Sequence, residues 1–130
     1  MIVNMTEARQ IVQGKATALA RYFPSVLPIK IGEKIALSYM NNGRRVIFAE
    51  VLIKTIQPVT VSSYSGKNGQ RRLETEGWSH VTSWRNNLLS KYDKSILNEK
   101  NGLYRFSFNV VRIDEPKEDE PKEIDMQNRP

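Results

Sequence analysis

The chain has no cysteine and one histidine. Without thiols it uses neither disulfides nor thiolate metal sites, and it has no cysteine nucleophile. A single histidine, His80, with scattered carboxylates makes no zinc-ligand cluster, so no metal and no cofactor is expected. No G-x-S-x-G elbow accompanies it, which removes the usual serine-hydrolase arrangement. Ser65-Gly66-Lys67-Asn68-Gly69 has the wrong spacing for a phosphate-binding loop and lacks the strand-to-helix context of one. The longest apolar run falls far short of the roughly 18 residues a membrane span needs. The opening MIVNMTEAR does not read as a signal peptide. The expected location is cytoplasmic, with no membrane partner.

What remains is a polar chain of one-domain length: 130 residues, 39% hydrophobic and 26% charged. The net charge of +6 is unevenly spread. Residues 114–130 hold seven acids and three bases, a net −4, which leaves +10 on residues 1–113. The segment EPKEDEPKE is nearly devoid of apolar residues and reads as a disordered acidic tail. The division is therefore a domain over 1–113 and a tail over 114–130. A body this basic suits a polyanionic partner.

The stretch Glu74–Tyr92, ETEGWSHVTSWRNNLLSKY, combines acids, both tryptophans and helical periodicity. Ser79 is the expected cap of a helix over His80–Tyr92. Val81, Trp84, Leu88 and Leu89 share its apolar face. Glu76 would then sit before the positive end of that helix, where a carboxylate is favoured.

Upstream, Thr6 is the expected cap of a first helix with Ala8, Ile11 and Val12 as its stripe. Alanine propensity would carry that helix through Gly14 to Ala20. Lys34–Met40 and Arg44–Ile56 read as a hairpin across Asn41-Asn42-Gly43, whose Asn-Gly step tolerates the positive φ of a tight turn. Val59–Val61 is a further short strand. Ser62–Gln70 reads as a loop whose Tyr64 and Lys67, followed by Arg71 and Arg72, suit single-stranded nucleic acid: rings stack on bases and cations meet phosphates. Leu103–Ile113 alternates cleanly as a half-buried strand. The pattern is α+β, a curled sheet or small barrel.

Five ordered motifs then resemble the ASCH domain, a small barrel related to the PUA RNA-binding fold. They are Gly14-Lys15-Ala16-Thr17-Ala18-Leu19-Ala20-Arg21, Ile29-Lys30-Ile31-Gly32-Glu33-Lys34-Ile35, Ala49-Glu50-Val51 to Val59, Glu76-Gly77-Trp78 to Trp84, and the strand Tyr104–Val111. The resemblance spans about residues 7–113. It implies a PUA-like barrel of five to six strands with two or three flanking helices, and turns Ala16–Arg21 into a strand. It also implies a cleft between barrel and helices that takes RNA or a nucleotide. Some members are amidohydrolases that deacetylate acetylcytidine with a Lys, a Thr and a Glu. Here the Glu falls on Glu76. The Lys falls on Ala16 with Lys15 beside it, and the Thr on Leu19 with Thr17 two residues earlier.

The resemblance places Lys15, Thr17 and Glu76 as candidate catalytic residues and Arg21 as an anion clamp. A structural Lys15–Glu76 ion pair would explain the same residues. Trp78 and Tyr64 are expected to meet the ligand, with Arg44, Arg45, Lys67, Arg71 and Arg72 giving electrostatic affinity. The expectation is a monomer that binds RNA or a nucleotide. The alternatives are a small amidohydrolase that deacetylates acetylcytidine, or an RNA-processing hydrolase, and a basic module with a protein partner.

Overall fold

The computed structural model describes residues 1–95 and 101–114; the acidic tail expected over 114–130 lies outside the described residues apart from Asp114. Four antiparallel strands form one curled sheet in the order β1-β4-β3-β2. They are β1 (Ala18–Tyr22), β2 (Lys34–Asn41), β3 (Arg44–Pro58) and β4 (Leu103–Ile113). Three α-helices flank it: α1 (Met5–Val12), α2 (Gly66–Thr75) and α3 (Val81–Leu89). This is a mixed α+β half-barrel. The five to six strands expected reduce to four among the described residues, because Val59–Val61 is not a strand. Val61–Tyr64 winds instead into a 3₁₀ turn.

The 15-residue β3 is the spine. Its first part pairs with β2 from Arg44 to Leu52, and its second with β4 from Ala49 to Pro58. Bulges at Leu37/Ser38, Glu50/Val51 and Ile53/Thr55 curl the sheet. Pro58 is tolerated as the last strand residue. The hairpin turn forms as expected, with Asn42 and Gly43 at φ 52 and 78.

The first helix departs from expectation at its start. Asn4, not Thr6, is the cap: its side chain accepts from the Glu7 amide at 2.8 Å while Glu7 accepts from the Asn4 amide at 3.0 Å. This reciprocal box satisfies two of the helix's orphan donors. Gly14 at φ 77 closes the segment, and the chain re-enters the sheet as β1. The strand implied by the resemblance is present, and alanine propensity gives way to pairing with Leu103–Ser107. Val12, expected in the apolar stripe, is 39% exposed.

The loop expected over Ser62–Gln70 is largely helix α2. Only Gly69 and Leu73 on it are buried, so the usual apolar period is nearly invisible in its sequence. Gly69 is the contact point: a Cβ there would lie 2.0 Å from the Tyr64 carbonyl carbon. Its absence lets α2 lie directly on the Tyr64 backbone.

Two apolar clusters fill the two faces of the sheet. One joins Ile11, Leu37, Phe48, Val51, Ile53 and Phe106 under α1. The other joins Ala20, Tyr64, Leu73, Trp84, Leu88 and Leu103 under α2 and α3. Among the described residues no helix is long and apolar enough to cross a membrane.

Candidate functional site

Glu76 caps the C-terminal end of α2 and is 1% exposed. It therefore belongs to the end of α2 rather than to a free lead-in loop of α3. His80, not Ser79, is the N-terminal boundary of α3, and its side chain makes no cap bond. A carboxylate at the C-terminal end of a helix gains nothing from the helix dipole, so its stabilisation comes from three side chains. The Tyr64 hydroxyl donates to Oε2. The Trp84 indole N–H donates to Oε1 at 3.0 Å. Arg105 Nε lies 3.2 Å from Oε2, off the axis of a hydrogen bond, as an ion contact. Arg105 also donates to the Thr75 hydroxyl.

Burial pushes the Glu76 carboxyl up to about 7, against the pull of Tyr64, Trp84 and Arg105. Burial first, and then the neighbouring Glu76, push the Tyr64 hydroxyl far above its usual range. Tyr64 stacks on Trp84 with centroids 3.8 Å apart. Buried and covered, its ring is not available to a base, contrary to the role expected for it.

Arg21 is likewise engaged inside. It is 5% exposed and grips Glu7 with two bonds of 2.9 Å. Asn87 donates to the same carboxylate at 3.0 Å and Lys91 stands 3.1 Å away. Burial alone would raise the Glu7 carboxyl, but Arg21 and its neighbours hold it at about 2. The anion that Arg21 clamps is thus internal, joining β1 to α1 and α3.

Lys15 and Thr17 are both exposed, and they flank the buried Ala16, which bridges to Glu76. The Thr17 amide donates to the Thr75 carbonyl at 2.7 Å, and its carbonyl accepts from Phe108 at 3.0 Å. The Lys15–Glu76 ion pair does not form; the cation beside Glu76 is Arg105. Lys15, Glu74, Gly77, Trp78 and Ser79 line an open cleft of about 340 Å³. Gly77 at φ 86 holds its floor, where the Gln10 side chain donates to the Gly77 carbonyl at 2.8 Å. Trp78 is half-buried on the wall, beside Lys15.

The other predicted cations are scattered. Lys67 and Arg71 are exposed on α2, one turn apart. Arg72 turns inward to the Ser63 carbonyl at 2.9 Å. Arg44 and Arg45 lie at the distant β2–β3 turn, Arg45 donating to the Ser38 hydroxyl at 2.9 Å. Sequence reasoning missed Arg105 and the partnership of Trp84. A signal existed for the second: a buried indole N–H needs an acceptor, and the nearest acid before Trp84 is Glu76. Among the described residues no three His, Cys, Asp or Glu side chains gather as metal ligands.

No family model matches this chain, and no curated protein does. Solved structures of similar fold exist. The hypothetical protein PH0355 is 16% identical, with a TM-score of 0.61 over 85% of this chain and 96% of that one. Protein EF3133 from Enterococcus faecalis V583, described under the family DUF984, is 14% identical, with a TM-score of 0.57 over 83% of this chain and 71% of that one. At such identities the likeness establishes a shared small β-rich fold.

Proposed function

We propose that this chain is an ASCH-type binding domain for RNA or a nucleotide, with the Lys15–Trp78 cleft as its ligand site. The observation that carries this reading is the pairing of a half-buried indole with an exposed ammonium across an open cleft. An aromatic face stacks any base and a neighbouring cation meets its phosphate. The +10 charge of residues 1–113 would draw a polyanion toward it.

Binding is favoured over hydrolysis by the residues flanking Glu76. The positions where the resemblance puts the amidohydrolase Lys and Thr are Ala16 and Leu19, 1% and 3% exposed. Glu76 itself is enclosed by Tyr64, Trp84 and Arg105. The second reading, deacetylation of a modified nucleoside, would rest on Glu76 beside the Tyr64 hydroxyl and Arg105, with burial pushing its carboxyl up to about 7, where it can exchange protons at neutral pH.

Heteronuclear NMR titration of the full chain separates the two. Short single-stranded RNA should shift amides at Lys15–Thr17 and Gly77–Ser79, and Trp78→Ala should weaken binding without unfolding the protein. Product signals from acetylcytidine, abolished by Glu76→Gln, would establish the second reading in its place. If neither ligand moves a peak, both readings fail.

A further inference from the structure

Away from that cleft, α1 and the β2–β3 hairpin leave a small apolar groove of about 150 Å³. Met5, Ala8 and Val12 form one wall, Tyr39 and Phe48 the other, and Arg9 lies at the rim. Met5 is 44% and Val12 39% exposed, unusual for the apolar side of a helix that packs on a sheet. Arg44 lies on the same face of the hairpin as Tyr39, since Tyr39 pairs with Val46 and residues two apart share a face. Neither Arg9 nor Arg44 has an acidic partner among the described residues.

The chain leaves the sheet at this groove. The Asp114 amide donates to the Phe48 carbonyl at 2.7 Å, and Phe48 is a groove wall. Beyond it the sequence is acidic, with Ile124 and Met126 as its only large apolar residues, alternating with Glu123 and Asp125. We propose that the segment Glu123–Met126 docks back into this groove. Ile124 or Met126 fills the cavity, and the flanking carboxylates meet Arg9 and Arg44. Nine residues lie between Asp114 and Ile124, a tether that at roughly 3.3 Å per residue spans about 30 Å when extended, while Asp114 itself is bonded to the groove residue Phe48. A short tether holds the segment at an effective concentration of millimolar order, so a contact of modest affinity stays populated. The tail then acts as a cover for an apolar strip and neutralises part of the basic surface.

The absence of native cysteine makes the test clean. A nitroxide on Asn128→Cys of the full chain should broaden amides of residues 5–12, 39 and 48. Adding Ile124→Asp and Met126→Asp to the tail, which leaves the folded domain untouched, should restore those peaks. Broadening seen only when spin-labelled protein is mixed with isotope-labelled native protein would place the tail on a second copy and overturn the intramolecular contact. Absence of broadening at the groove would overturn docking itself.

Discussion

Arg105, on β4, supplies the cation for Glu76, at the end of α2, across 3.2 Å and from 29 residues along the chain. The pair is largely buried, at 14% and 2% side-chain exposure. Removing one member of such a pair usually costs about 3–5 kcal/mol. Arg105→Met should therefore destabilise the fold, and more at pH 8 than at pH 5, because a protonated Glu76 needs no cation. Urea denaturation at both pH values measures this. Equal loss at both would mean that Arg105 acts through packing alone. Glu76→Gln together with Arg105→Met should recover most of the deficit.

The two buried carboxyls give opposite pH slopes. Glu76 is raised from its ordinary 4.5 to about 7. Its contribution is fully present below pH 4.5 and is lost as pH rises toward 7, by about 1.4 kcal/mol for each pH unit crossed. Glu7 is lowered from 4.5 to about 2, so its contribution is present above pH 4.5 and lost as pH falls toward 2. Together they give a melting temperature that peaks mildly on the acid side of neutrality. Glu76→Gln should flatten the decline between pH 4.5 and 7, and leave the acid limb in place.

Gly69 touches the Tyr64 backbone too closely for any Cβ. Gly69→Ala would gain helix propensity yet should destabilise by about 1–3 kcal/mol through overpacking. Asn68→Ala, one position away and exposed, should change stability by less than about 0.5 kcal/mol. If the two variants melt alike, the helix has room to move off Tyr64 and the close approach carries no energetic weight.

Lys67 and Arg71 form the exposed basic row of α2, while Arg72 is tied to Ser63. If the row meets an RNA backbone, Lys67→Glu with Arg71→Glu should weaken binding across sequences. The slope of log affinity against log salt should fall by roughly 0.7 for each phosphate that the variant no longer neutralises. An unchanged slope would remove α2 from the interface.

The elements legible in sequence were those whose own pattern declares them. The hairpin stood out through Asn42-Gly43, β4 through its alternation, and α3 through Val81, Trp84 and Leu88. Helix α2 was hidden because its inward face is a glycine and one leucine: close approach replaces the apolar stripe that periodicity looks for. The candidate site was half visible. Glu76 could be singled out as an acid beside tryptophan, but its partners are set by tertiary contact. Arg105 arrives from a strand read only as amphipathic, and Arg21 is consumed by Glu7 of α1. Lys15 and Thr17 flank Ala16, the residue that bridges to Glu76, and neither makes a hydrogen bond or ion pair with its carboxylate among the described residues.

Strand β1 pairs with β4 alone, and Ala18 meets Ser107 about 90 residues later. The β2–β3 turn, by contrast, closes over adjacent residues. Loop-closure entropy makes the near pairing cheap and the far one late, so the expected order of folding zips β2 to β3, adds β4, and seats β1 last. Residues 15–17 are the lead-in to that last strand, and Lys15 among them lines the Trp78 cleft. On that order the molecule reaches its compact form before the cleft between Lys15 and Trp78 is complete, and β1 is the element whose local release would disrupt that cleft without unfolding the rest.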